Sequence, residues 1–244
     1  MLFFFVRHGH PIYIPDSLTE LGQKQAEALS HRFALHGLDR IYASSHIRAI
    51  QTAEPTAKLL EKEIVTLDWA REDLATEEFM HLRPGPDRMH HYWCFQLDDY
   101  VELFHRPDVR NMGMNWWKHP IFEGEKFHAG LERIRKEADA LFESLGYRHD
   151  VENARYLPIA PNEERVALFA HQGFGLAFLS VVMDIPYPIF CTEFDHSYTG
   201  VTAIEFKVNG DGVVYPKILQ LSNDSHLFKA GMSTAYCNSP TLMI

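Results

Sequence analysis

Residues 1–10 read MLFFFVRHGH, and this stretch decides the fold. An unbroken apolar run at 2–6, rich in Phe, halts at Arg7, His8 and Gly9. A run apolar on both faces suits a strand covered on both sides, as in a parallel sheet between helices. The carboxyl end of such a strand is where open α/β sheets place their ligands, and here it carries a cation and an imidazole. Taken alone, the ten residues favour an ordinary strand running into a polar turn, so the weight rests on their surroundings.

Working outward, residues 11–16 (PIYIPD) read as a proline-bearing loop, and Ser17 with Glu20 has capping-box spacing, with Thr19 as the rival N-cap. Leu21, Gln25, Leu29 and Phe33 recur on one helical face, and Gly37 is a natural end to that helix. Residues 39–43 (DRIYA) predict a second strand, 44–46 a turn, and the following pattern a helix that Pro55 should kink or break, with a second segment over 55–61. Residues 64–67 predict a third strand. Strands alternating with helices at this spacing imply βαβ units.

From 79 to 125 the rhythm is lost among prolines, histidines and aromatic clusters, which reads as an insertion folding over one end of the sheet through short helices. It returns at 126–146, where Phe127, Leu131, Ile134, Ala138, Leu141 and Leu145 mark a helix ended by Gly146. Residues 149–164 look like a polar loop in which LPIA hides a short edge strand. Residues 166–170 (VALFA) form a second buried strand, stopping at His171, Gln172 and Gly173, and 175–183 continue as a helix. Residues 200–208, 209–212 and 213–221 predict an antiparallel hairpin turning on NGDG; the tail has no periodicity. The expected fold class is α/β: a three-layer α/β/α sandwich with a mostly parallel central sheet, one antiparallel edge and an inserted cap at 79–125, in a single domain over 1–244.

Composition narrows the function. The chain has 244 residues, 46% hydrophobic and 23% charged, as in ordinary globular proteins. A formal net charge of -10 argues against nucleic-acid or membrane-surface partners, both of which need a basic face. Any anionic substrate then needs a locally cationic pocket. The three cysteines, Cys94, Cys191 and Cys237, are far apart without metal-type spacing, which suits free thiols in a reducing, cytoplasmic setting. The opening run is too short for a signal sequence, and its charge follows that run. The fifteen histidines show no helical metal spacing.

Two strands thus end in an imidazole followed closely by glycine, His8 and His171, and parallel strands bring such ends to one sheet edge. Arg7 stands beside the first, and Arg48 lies in the first turn of the helix after the second strand. Two guanidiniums and two imidazoles in one concave site suit a phosphoryl group, whose oxygens carry the charge in transfer.

RHG at 7–9, LTELGQKQAEAL at 18–29, YASSHIRAIQTAEPTA at 42–57 and AHQG at 170–173 together resemble the histidine phosphatase superfamily, which includes the cofactor-dependent phosphoglycerate mutases and many small phosphatases. GEKF at 124–127 is similar to that family's GES-type stretch. The resemblance implies a phosphatase of the histidine acid phosphatase-like type, a metal-independent phosphomonoester hydrolase acting on a small phosphorylated metabolite, with no cofactor. It implies that His8 attacks phosphorus to form a phosphohistidine. Arg7, Arg48 and His171 would bind the non-bridging oxygens. A carboxylic acid would protonate the leaving group: Glu72 matches the family position, and Glu77 and Glu78 on the same segment are its rivals.

The pattern departs from the family at His10, which stands where Glu or Gln is usual and is expected at the pocket rim, and at Gln172, where glycine is common. The mutases' NERHYG-like stretch is absent around Glu72, which favours hydrolysis over the alternative of mutase-type phosphoryl transfer. A non-catalytic phospho-ligand binding module is the remaining alternative. Arg83, Arg88, Arg106 and Arg110 could reach a substrate's distal charge from the insertion, although solvent-facing positions are the simpler expectation. His226 is expected to cap structure. Neither the substrate nor the oligomeric state can be read from these residues.

Overall fold

The structure, a computed structural model, describes residues 1–85 and 87–235. The first half of the chain alternates as the sequence predicts: β1 (Leu2–Arg7), the short strands β2 (Pro11–Tyr13) and β3 (Asp16–Leu18), α1 (Glu20–His36), β4 (Arg40–Ser44), α2 (Ile47–Leu60), β5 (Ile64–Leu67) and α3 (Glu72–Phe79). The 79–125 stretch contributes a hairpin, β6 (Met80–Pro84) with β7 (Met89–Trp93), and the short helices α4 (Asp98–His105) and α5 (Pro107–Arg110). Then follow α6 (Phe127–Ser144), the hairpin of β8 (Tyr147–Asp150) and β9 (Arg155–Pro158), β10 (Arg165–Ala170), α7 (Gln172–Val182) and α8 (Tyr187–Glu193). β11 (Val201–Glu205), β12 (Lys217–Asn223) and α9 (Ser225–Lys229) complete the described chain.

The central sheet has six strands in the order β12-β11-β1-β10-β4-β5. β1, β10, β4 and β5 are parallel, and their ends are level: Arg7 lies beside Ala170, and Phe169 beside Ala43. β11 runs against β1, and β12 runs against β11. The reversed strand therefore sits one place in from the edge, and edge strand β12 runs with the parallel set.

Alternation along β1 builds two cores. Phe3 and Phe5 enter one with Phe142 of α6 and Phe178 of α7, while Val6 enters the other with Leu29 and Phe33 of α1 and Ala53 of α2. Helices thus cover both faces, as the all-apolar run requires.

Several local expectations are corrected. Residues 11–18 form a ladder rather than a plain loop. Thr19, not Ser17, caps α1, accepting from the Gly22 amide at 3.0 Å. Leu21 is exposed, and the buried face runs through Gly22, Gln25, Ala26 and Leu29. α2 continues through Pro55 without a break. Proline removes a single helical hydrogen bond, whereas burial of Ala49, Thr52, Ala53 and Thr56 holds the whole helix against the sheet. The polar stretch 149–164 carries most of the β8–β9 hairpin, with LPIA supplying only its last two residues. The NGDG hairpin has shorter strands than expected and a long connection over 206–216, pinched by the Val208–Val214 bridge.

The insertion begins as a hairpin rather than as helices, and its Tyr100, Phe104, Trp116 and Phe122 join the main core. Cys94 and Cys191 are buried free thiols, and Cys237 lies outside the described residues. Among the described residues no helix is long and apolar enough to cross a membrane.

Candidate active site

β1 delivers Arg7 and His8 to the sheet's carboxyl edge, both buried. Arg7 donates through Nη1 to the His196 carbonyl, and its guanidinium carbon lies 4.1 Å from the centroid of the Tyr198 ring. His8 Nδ1 is 2.7 Å from the Gly9 carbonyl oxygen. A carbonyl can only accept, so Nδ1 carries the proton and Nε2 keeps its lone pair. Burial, then the charges of Arg7 and Arg48, hold the His8 pKa well below its ordinary 6.5, so the ring is neutral.

Gly9 lets the turn after β1 pack closely against α1 and α2. Its amide donates to Thr52 Oγ1 at 3.0 Å, and a Cβ there would meet the Gly22 carbonyl oxygen at 2.7 Å.

β10 ends at His171, whose ring centroid is 5.2 Å from that of His8. His171 Nε2 is 2.8 Å from Ser44 Oγ at the end of β4, and Nδ1 is 3.4 Å from Glu72 Oε2. Burial, then the charge of Arg48, keeps this imidazole neutral as well. Glu72 Oε1 accepts from the Gly173 and Phe174 amides, at 3.0 and 3.2 Å, and so sits at the amino end of α7. Trp93 from β7 closes over that turn: a Cβ on Gly173 would come within 2.2 Å of the indole.

Arg48, in the first turn of α2, is buried and holds Asp16 of β3 at 2.7 Å. His46, the residue preceding that helix, lies 3.4 Å from Asp73, and burial followed by Arg48 lowers its pKa. Between these elements lies a cleft of about 600 Å³ lined by Arg7, His8, Arg48 and Glu72, with walls from α3 and from the β2–β3 and β6–β7 hairpins.

Four of the residues singled out in the sequence therefore share one cavity, and His171 stands fully buried behind His8. Glu77 and Glu78 do not line it: Glu77 is exposed, and Glu78 binds Arg133 through two contacts of 2.8 and 2.6 Å. His10 is held by Thr19 Oγ1 at 3.1 Å and against the Tyr198 ring, outside the lining. His226 anchors α9 to Thr199 Oγ1 at 2.9 Å.

Sequence reasoning did not single out His46, Asp73, Trp93 or Tyr198 as lining residues. His46 had a signal, since it stands two residues before Arg48 in the quoted motif. Trp93 and Tyr198 had none, because their elements reach the cleft only through tertiary packing.

Residues 3–93 match the model of the histidine phosphatase superfamily (branch 1). Comparison with curated proteins finds no match. Among solved structures, mycobacterial hydrolase 1 superposes with a TM-score of 0.58 at 17% identity, covering 91% of this chain and 98% of its own. Phosphoserine phosphatase from Entamoeba histolytica, in complex with 3-phosphoglyceric acid, gives 0.56 at 16% identity, covering 93% and 98%. Mycobacterial glucosyl-3-phosphoglycerate phosphatase gives 0.56 at 16% identity, covering 91% and 98%. At these identities the likeness is one of fold. Residues 3–93 thus match the histidine phosphatase superfamily (branch 1), in a chain whose six-stranded architecture is similar in fold to these solved hydrolase and phosphatase structures.

Proposed function

We propose that this protein hydrolyses small phosphomonoesters through a phosphohistidine on His8. One observation carries the reading: a neutral His8, with Nδ1 fixed by the Gly9 carbonyl and Nε2 left as the nucleophile, lines one cleft with the buried guanidiniums of Arg7 and Arg48.

In the first step Nε2 attacks phosphorus as the bond to the leaving oxygen breaks, and Glu72 gives that oxygen a proton. In the second, water attacks the phosphohistidine, the P–N bond breaks, and Glu72 takes the water's proton. Arg7 and Arg48 bind the non-bridging oxygens throughout, where a guanidinium's planar fork matches phosphate geometry. His171 Nδ1, short of a well-formed bond to Glu72, serves either that carboxyl group or a phosphoryl oxygen. Every bond made and broken in this scheme is handled by side chains of the cleft.

The test is His8→Ala. Phosphate release from p-nitrophenyl phosphate should fall to background with an unchanged circular dichroism spectrum, and rapid quenching of the wild type should trap an acid-labile, alkali-stable phosphoryl group on His8. Undiminished turnover by the variant would overturn the mechanism. Activity surviving a chelator in the wild type agrees with chemistry that uses no metal; loss of activity would remove that part of the proposal.

A further inference from the structure

The cations of the cleft are confined to its floor. Among the described residues that line it the guanidiniums are Arg7 and Arg48, and no lysine is present. Arg48 is already engaged by Asp16 at 2.7 Å. The walls are of another kind. Met80 and Trp93 come from the β6–β7 hairpin and Tyr13 from the β2–β3 hairpin, with Tyr13 61% exposed. Trp93 is fixed in place, stacked on Phe95 at 5.6 Å and 12° and seated against Gly173. The polar groups beside them are the hydroxyl of Thr76, the amides of Gln96 and Gln172, and the imidazoles of His46 and His91.

The insertion's arginines, which could have offered a distal cation, are directed elsewhere. Arg106 holds Asp108 at 3.0 and 2.6 Å, Arg110 holds Glu193 at 2.9 Å, and Arg83 reaches Asp99 at 3.5 Å. Arg88 does not line the cleft. The only carboxylates among the described lining residues are Glu72 and Asp73, and Asp73 is matched by Arg71, which stands outside the lining.

A leaving group bearing a carboxylate or a second phosphate would have to shed water here without a guanidinium or ammonium of its own to meet. A flat apolar ring would instead cover Trp93 and Met80 and gain from burial and stacking. We infer that the substrate is a phosphomonoester of an uncharged, ring-bearing alcohol, its ring lying against Trp93. This deepens the phosphatase reading above and rests on it.

The experiment compares three phosphates of ordinary alkanols, so that leaving-group chemistry is held nearly constant: 2-phenylethyl phosphate, glycerol 1-phosphate and 3-phosphoglycerate. The expected order of kcat/KM is as written, with at least a tenfold gap between the first and the last. Thr76→Arg, which adds a cation to the wall, should narrow that gap about tenfold. Equal or better turnover of 3-phosphoglycerate by the wild type would overturn the substrate class while leaving the His8 mechanism intact. Equal turnover of glycerol 1-phosphate and 2-phenylethyl phosphate would overturn the role of the ring. Absence of His8-dependent phosphate release from all three would overturn both this inference and the mechanism beneath it.

Discussion

Glu72 is held by two backbone amides on one oxygen and faces an imidazole with the other, while Glu78 is committed to Arg133 and Glu77 faces solvent. The three carboxylates are nearly equivalent as letters, and only the α7 turn and the α6 arginine tell them apart. Replacing Glu72 by Gln keeps its shape and removes the proton that the proposed mechanism transfers. Hydrolysis of an alkyl phosphate should then fall by about 10²–10⁴, the usual yield of general acid–base catalysis. In kcat/KM, which reports only the steps up to phosphohistidine formation, p-nitrophenyl phosphate, whose leaving group needs no proton, should lose far less. Glu77→Gln should stay within about twofold, as an exposed change away from the reacting atoms. Equal losses of kcat/KM with both substrates would remove Glu72 from the role of acid. Arg7, His8, Arg48 and His171 were legible in the sequence because each follows a buried run or a motif that fixes its neighbourhood. Asp73 was not, because its approach to the cleft is set by the packing of α3 against α6 and α7, which lie far off in sequence.

The close approach of α1 to the loop after β1 positions that loop, and it depends on two glycines facing each other. A Cβ on Gly22 would lie 2.3 Å from the His10 carbonyl oxygen. Gly22→Ala would gain about 1 kcal/mol of helix propensity. A backbone oxygen cannot rotate aside as a side chain can, so overpacking, which typically costs about 1–3 kcal/mol, should win. The expected outcome is a lower urea midpoint; an unchanged or raised one would show that the contact yields. Long elements were read well from the sequence: β1 and β10 as unbroken apolar runs, α1 and α6 from helical spacing. The hairpins at 11–18 and 147–158 escaped because ladders of three or four residues leave no period to detect. Pro55 misled because local propensity is a weaker influence than the burial of a whole helical face.

Across the molecule, histidines set opposite limits on stability. His8 and His171 are buried and neutral, and burial, followed by a nearby arginine, lowers His196 and His226 to about 3. Below the ordinary 6.5 the unfolded chain takes up protons at these four sites that the folded chain does not, so stability falls as pH drops. His149 behaves in the opposite way. Its burial opposes charge, but hydrogen bonds to Asp139 and Asp184, at 2.8 and 2.9 Å, outweigh that and raise it to about 9. Its contribution is fully present below 6.5 and is lost as pH rises towards 9, since the folded chain alone holds that proton in the window. Each group adds a slope approaching about 1.4 kcal/mol per pH unit. Urea midpoints should therefore decline on both sides of neutrality, more steeply in acid, and His149→Gln should flatten the alkaline side alone. A flat acid limb would contradict the neutral burial of the four imidazoles. The level ends of β1, β10 and β4, which bring Arg7, His171 and Ser44 together, carry a consequence for folding kinetics as well. His8 and His171 lie more than half the chain apart, and closing so long a loop is a slow, entropically costly event. During refolding, phosphatase activity should consequently be gained late: a collapsed intermediate with its helices formed but the β1–β10 pairing open would hold Arg7 and the proposed nucleophile His8 without their neighbours across the sheet.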